Sequence, residues 1–529
     1  MNKFRIGIDV GGTHTDAVIL DQANELVGAE KVDTTSDVST GIDNALTAVL
    51  SNSRVERKNV AAVMFGTTHC TNAIVERKNL ARVGLLRIGK PATTGIRPLY
   101  SLPKDLRAAI GDTWEVIHGG NEFDGREIWP LDEEEARRAA ERFRKEGVEA
   151  AAVSAVFSPV SAAHEMRAGE ILAEVLGKDV QITLSHEIAS IGLLERENAT
   201  ALNAALVKVA NTAFDGFVRS VKTSGLDKAS IFLTQNDGTL MNVAYAKKYP
   251  VKTIASGPTN SMRGAAFLTG LTDGIIIDIG GTTTLVGAVV KGFPRESSVA
   301  VEIGGARTNF RMPDLLAVSC GGGTVVTMEG DQVRVGPQSV GFRIAKESVA
   351  WGGKVLTTTD VSLGLGKAKV DDPSCDPERV KKLLSEDILK KALDTIVSIV
   401  EDSVDRVKTS AQPVPVVLVG GGGIIIPPEY YPRFRGAQRV DRPPHFQYAN
   451  AMGAAIAQAS GEVDKIFELE KSSREEVLQR AKDLAVADAV KAGADPGSVE
   501  IVEVEEIPLS YLPGVAIRVR AKAVGRLKI

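Results

Sequence analysis

Two short stretches carry the residue types from which a phosphate clamp can be built. Ile6 to Asp16 reads IGIDVGGTHTD, and Ile275 to Leu285 reads IIIDIGGTTTL. In each, an apolar run delivers an aspartate, Asp9 or Asp278, and then Gly-Gly-Thr. Glycines at a strand end let the backbone turn tightly and bring its N–H groups close to an anion. Gly11, Gly12, Gly280 and Gly281 supply that freedom, and Thr13, Thr15, Thr282 and Thr283 add hydroxyl donors. A carboxylate at such a turn can hold a divalent cation through its shell of water. Two such loops facing each other would clamp a metal nucleotide from both sides. The expected ligands are therefore ATP and Mg2+, with Asp9 and Asp278 as the catalytic, metal-positioning pair.

The elements that carry these loops decide the fold class. Phe4 to Val10 and Ala17 to Leu20 are apolar runs on either side of the first glycine turn, which makes a β-hairpin. A Rossmann or Walker-type loop would instead lead from a strand into a helix. Phosphate loops on hairpins are a mark of the actin-like ATPases. The predicted architecture is thus α/β, with two actin-like (ribonuclease H-like) ATPase domains facing a nucleotide cleft.

Further glycines stand at other strand ends. Val416 to Ile426 reads VVLVGGGGIII, and Gly420, Gly421 and Gly422 are expected to let the backbone lie flat against adenine and ribose. The run Cys320-Gly-Gly-Gly323 is expected either to approach a ligand closely or to act as a hinge. Asp360 reads as a metal ligand or as a helix cap, the cap being favoured. Gly66-Thr67-Thr68 closes the strand Val60 to Phe65, and the helix expected from Thr71 has a positive N-terminus suited to an anion. The adjoining His69 and Cys70 read as packing residues. In Ser185 to Leu206, Glu195 and Asn198 share one helix face. Such a cluster fits either a site between lobes or an ordinary capped helix start.

At 529 residues the chain is too long for one core. The expected division is 1–184, with an inserted lobe at about 90–130, then 185–460, then a small α+β C-terminal region at 461–529. A net charge of −4 leaves no basic surplus for nucleic acid. Cys70, Cys320 and Cys375 are too few and too scattered for a disulfide framework or a cysteine zinc cluster. No apolar run nears the roughly 20 residues of a membrane span, and no secretory leader pattern is present. The expectation is a cytoplasmic protein with no nucleic acid and no membrane as partner.

Taken together, IGIDVGGTHTD, FGTTHCTNAIVER, SHEIASIGLLERENATALNAAL, FLTQNDGTL, IASGPTNSMRGAA, IIIDIGGTTTL and SCGGGTVV followed by RVGPQSVG resemble the hydantoinase A/5-oxoprolinase family. They occur in the family's order over roughly residues 5 to 460. The resemblance implies an ATP-dependent hydrolase that opens a cyclic amide such as hydantoin, 5-oxoproline or a lactam by phosphorylating the amide oxygen. It also implies substrate contacts at Thr67, Thr68, Asn72, His186 and Glu195. A separate hydantoinase B-type subunit is implied as partner, hence a homo- or hetero-oligomer. Two departures stand out. Leu285 occupies a place where the family often carries aspartate, and the family's Pro-Gly-Pro-Ala-Cys stretch is missing. The same loops would also suit the ATP-binding subunit of a ketone carboxylase, a small-molecule kinase or a non-catalytic ATP-dependent regulator.

Overall fold

Every strand that carries one of these loops is apolar on its buried face, and that pattern organises two sheets. In the computed structural model, which describes residues 3–11, 14–33, 38–297, 301–329, 332–469, 472–509 and 516–528, the first sheet is nine-stranded. Within it Phe4–Val10 is antiparallel to His14–Leu20 and parallel to Val60–Thr67. Ile6, Ile8 and Ile19 are fully buried on these strands. The second sheet repeats the arrangement: Gly274–Ile279 is antiparallel to Thr284–Val290 and parallel to Val414–Val419. The two actin-like lobes of the sequence reading are present.

Two features of the first lobe come from distant parts of the chain. Val83–Lys90, Thr113–His118, Ala150–Ala155 and Gln181–Leu184 make a separate parallel sheet of four strands. This unit is the insert; with the turn that follows its last strand it runs from 83 to about 191, well beyond the 90–130 expected from the sequence. Its helix Glu133–Lys145 starts where Asp132 accepts a hydrogen bond from the Glu135 N–H. The C-terminal region supplies Gln458–Glu468, Glu500–Pro508 and Ala516–Gly525, which extend the nine-stranded sheet through a parallel pairing of Gln458 with Thr239. Helix Arg474–Lys491 covers them, and a capping box between Ser473 and Glu476 starts it.

Two small-residue helices join the lobes. Ser256–Thr269 and Ala449–Ala455 cross with backbones almost touching, because a Cβ on Gly264 would strike the Ala449 carbonyl and one on Gly453 the Asn260 carbonyl. Ala449–Ala455 also lies on the first sheet, at Gly7. Among the described residues no helix is long and apolar enough to cross a membrane.

Candidate active site between two glycine hairpins

Both loops have the same internal geometry. Gly11 N–H donates to the His14 carbonyl at 3.1 Å, and Gly280 N–H donates to the Thr283 carbonyl at 2.9 Å. Gly12 and Thr13 lie outside the described residues. Asp9 stands opposite Gly66 of the parallel neighbour strand, and Asp278 stands opposite Val419, one residue before Gly420. A Cβ on Gly66 would come within 3.3 Å of Asp9 Oδ1, and one on Gly420 would clash with Asp278 Oδ1. A glycine on the adjoining strand (Gly66) or just past its end (Gly420) therefore keeps space open at each carboxylate. Gly420 also needs glycine for its φ of +83°.

The carboxylates share one electrostatic space. Burial pushes the Asp9 carboxyl well above its ordinary pKa, and the charges of Asp16 and Asp278 push further while Lys31 opposes them. Burial likewise raises Asp278, tempered by a hydrogen bond from Ser261 and by Lys31. Asp9 Oδ1 is buried without a partner, as are Asn260 Oδ1 and Asn450 Oδ1 on the two joining helices. An unpartnered buried carboxylate oxygen is costly, and a bound cation with its waters is a natural complement. The residues thus fit a hydrated Mg2+ held by Asp9 and Asp278.

The second loop is buttressed from below. Gly322 N–H donates to the Gly280 carbonyl at 2.9 Å and Gly323 N–H to the Gly281 carbonyl at 2.6 Å. The Thr358 and Thr359 hydroxyls in turn each hold the Gly322 carbonyl at 2.8 Å. The Cys320–Gly323 run therefore serves as a backbone-on-backbone support, a role that needs no side chain. Gly281, Thr282 and Thr283 remain exposed at the crown. Gly422 packs on the Gly280 carbonyl, whereas Gly421 faces open space. Thr15 is buried in the first hairpin. Asp360 forms a capping box with Thr357, as its sequence context favoured.

The remaining candidates fall in different places. Thr67 and Thr68 follow Gly66; Thr67 Oγ1 lies 2.5 Å from His69 Nδ1, and Asn72 Nδ2 donates to Thr68 Oγ1 at 3.4 Å. Cys70 is buried and its thiol is pushed up to about 11 by burial, which suits packing and not catalysis. His186 stands in the insert, 2.6 Å from Glu165. Glu195 pairs with Arg307 at 3.4 Å, while Asn198 is buried and donates to Ser101 and the Arg307 carbonyl. Sequence reasoning missed Ser261, which hydrogen-bonds Asp278, Lys31, whose charge acts on both carboxylates, and Asn260 and Asn450, which stand close to Gly66 beside Asp9.

The profile of the hydantoinase/oxoprolinase N-terminal region matches residues 5–176, and that of hydantoinase/oxoprolinase matches residues 196–463. The chain belongs to the hydantoinase/oxoprolinase family. It is 27% identical over 390 residues to caprolactamase subunit alpha of Pseudomonas jessenii, covering 69% of this chain and 54% of that subunit. It is 27% identical over 405 residues to the acetophenone carboxylase gamma subunit of Aromatoleum aromaticum, covering 69% and 53%. The chain thus spans about half the length of these curated relatives. Its fold matches the crystal structure of the ATP-dependent caprolactamase from Pseudomonas jessenii with a TM-score of 0.78, at 20% identity over 99% of this chain and 88% of the other.

Proposed function

We propose that the chain is the ATP-binding, amide-activating part of an ATP-dependent cyclic amide hydrolase, acting on a hydantoin, 5-oxoproline or a lactam. The observation that carries this reading is the pair of matched hairpins whose buried aspartates, Asp9 and Asp278, both feel the charges of Lys31 and Asp16. The caprolactamase name of one relative supports the substrate class. That relatives are named as subunits supports a hydantoinase B-type partner.

A ring amide is resonance-stabilised and resists water, so activation must precede hydrolysis. The amide oxygen attacks the γ-phosphorus of ATP, an O–P bond forms, and ADP leaves with the electron pair of the broken P–O bond. Water then adds to the carbon of the phosphorylated imidate. The ring C–N bond breaks, its electron pair and the protons of that water going to nitrogen as the amine. A second water hydrolyses the resulting acyl phosphate to the ring-opened acid and phosphate. Asp9 and Asp278 would hold Mg2+, which neutralises charge on the transferring phosphoryl group. The exposed Gly281, Thr282 and Thr283 offer donors to the phosphate oxygens. Gly420 and Gly422 pack on that loop, and Gly421 faces open space, which leaves room for the rest of the nucleotide.

The deciding experiment is ADP release by the purified chain with Mg2+, across hydantoin, 5-oxoproline and caprolactam, with Asp9→Asn as control. Stimulation by one cyclic amide, lost in the control, is the expected outcome. The carboxylase-subunit relative favours a second reading: there, ADP release would respond to a ketone with bicarbonate and to no cyclic amide.

A further inference from the structure

A cavity of about 910 Å³ is lined by neither of the glycine hairpins. Its walls come from Ser158–Val160 and 186–191 of the insert, 235–237, Lys252, Arg311 and the C-terminal strands at 462–466 and Arg518. Asp9 pairs with Gly66, and Phe65 on that same strand pairs with Leu233 of the next. Gln235, just past that next strand, therefore stands about 10 Å from Asp9, at two strand spacings of about 4.8 Å. One wall of the cavity, at 235–237, thus lies at the strand-end edge that carries Asp9, the edge at which α/β sheets bind ligands.

Most charges in its walls are already matched. Arg518 pairs with Asp464, Arg311 with Glu296 at 2.9 Å, and Asp237 with Lys522 at 2.8 Å. Lys465 and Asp488 also line it and enter no ion pair among the described residues, and two further groups bear on the chemistry. Lys252 Nζ donates to the Tyr245 hydroxyl at 3.2 Å and has no carboxylate partner among the described residues. His186 is the other. Its Nδ1 lies 2.6 Å from Glu165 Oε2, on a carboxyl that is fully buried. Glu165 also accepts from the backbone N–H of His186 at 3.0 Å, from that of Ala155 at 2.7 Å and from the Ser185 hydroxyl. Burial alone would raise Glu165, but the His186 hydrogen bond and the Arg196 charge hold it below its ordinary pKa. An ionised carboxylate at Nδ1 keeps the ring proton there and leaves Nε2 as the basic nitrogen for the cavity.

We propose that this cavity holds the cyclic amide, with His186 Nε2 as the base for the ring N–H and Lys252 Nζ binding a second oxygen of the substrate, a carboxylate or second carbonyl. The proposal rests on the amide-hydrolase reading and refines it. As the amide oxygen bonds to the γ-phosphorus, the N–H bond breaks. Its electron pair becomes the C=N bond of the imidate, and its proton moves to His186 Nε2. Glu165 is the positioning residue. The class of substrate follows: a ring amide that carries a further acceptor oxygen, as 5-oxoproline and hydantoin do and 2-pyrrolidinone does not.

Calorimetric titration of the full chain with 5-oxoproline, hydantoin and 2-pyrrolidinone tests this. Binding of 5-oxoproline or hydantoin at least 10-fold tighter than 2-pyrrolidinone is expected, with the advantage erased in Lys252→Met. His186→Gln should keep binding within about 3-fold and lower amide-stimulated ADP release by about 10²-fold or more, the usual contribution of a general base. Glu165→Gln should shift the His186 ring tautomer in 15N spectra of histidine-labelled protein, a change that a purely structural role would not produce. Binding of none of the three probes, or binding indifferent to Lys252→Met, overturns the site. Stimulated ADP release that survives both His186→Gln and Lys252→Met overturns it too, while leaving the hydrolase reading intact. Lys252-dependent binding with no stimulated ADP release keeps the site and removes the hydrolase reading.

Discussion

Asp16 and Leu285 occupy the same place in the two hairpins: Asp16 lies directly opposite Asp9, and Leu285 directly opposite Asp278. The next strand continues the contrast, with Lys31 opposite Asp16 and Ala317 opposite Leu285. Residues paired across strands share a face. One lobe therefore runs Asp9–Asp16–Lys31 in a stripe, and the other runs Asp278–Leu285–Ala317. The departure at Leu285 leaves charge control to the first lobe, since Lys31 and Asp16 act on both Asp9 and Asp278.

Lys31 is the single cation of that stripe, with Nζ 2.7 Å from Asp16 Oδ2. Replacing it leaves Asp16, whose side chain is 9% exposed, as an uncompensated charge beside Asp9. Lys31→Met should destabilise the protein by about 2–3 kcal/mol, below the full cost of breaking a wholly buried pair because Lys31 is partly solvated. Adding Asp16→Leu, the residue the other lobe uses, should recover most of the loss. Urea titrations of the single and double variants measure this, and a double variant weaker than the single one refutes it.

Asp9 should trade stability for function. Its carboxyl keeps a proton to higher pH in the folded protein than in the unfolded chain, where the value is near 3.8. Between those two values the folded state binds more protons, so stability falls as pH rises through the window. Asp9→Asn removes that penalty. It should raise Tm at pH 7, with the gain shrinking as pH drops towards 4, and should abolish the Tm increase that Mg2+ and ATP give the parent protein. Melting curves across pH check both halves, and a lower Tm for the variant at pH 7 contradicts the account.

Gly420 meets two constraints together, a φ of +83° and a carboxylate in the space of its missing Cβ. Gly420→Ala should displace Asp278 and weaken ATP binding in Mg2+ by at least about 10-fold, a loss of about 1.4 kcal/mol. Gly421→Ala, whose Cβ would meet open space, should fold normally. The pair thus separates a general effect of alanine from crowding at Asp278, and fluorescence titration with a nucleotide analogue reads it.

What was legible in the sequence was local. The hairpins, the Asp132 cap and the Asp360 capping box each depend on residues within a few positions of one another. The surroundings of Asp9 were not legible. Lys31 acts on it from a third strand, and Asn260 and Asn450 come close to the neighbouring Gly66 on helices whose crossing depends on Gly264 and Gly453. The C-terminal strands read as a region apart because parallel pairing of Gln458 with Thr239 spans more than two hundred residues. Periodicity within a segment carries no signal of such a partner. The Glu165–His186 contact was hidden in the same way, since Glu165 sits on a helix whose own pattern is simply amphipathic.

The insert is tied to the long helix Leu193–Thr223 by one ion pair with almost no solvent contact. Arg87 Nε and Nη2 donate to the Glu197 carboxylate at 2.6 and 2.7 Å, with side-chain exposures of 0% and 1%. Glu197 also accepts the Leu99 N–H at 3.0 Å, so it fixes the loop after the strand Val83–Lys90 as well. Removing one partner strands a buried charge, and Arg87→Met should cost about 3–5 kcal/mol. Replacing both, as Arg87→Met with Glu197→Leu, should restore most of that stability. Because the same helix carries Arg196, which donates to Ser185 at 2.9 Å beside His186, the single variant should also loosen the His186 cavity. Hydrogen exchange at residues 185–191 should therefore quicken in Arg87→Met and return towards the parent rate in the double variant. Unchanged exchange in the single variant would show that the insert is held elsewhere.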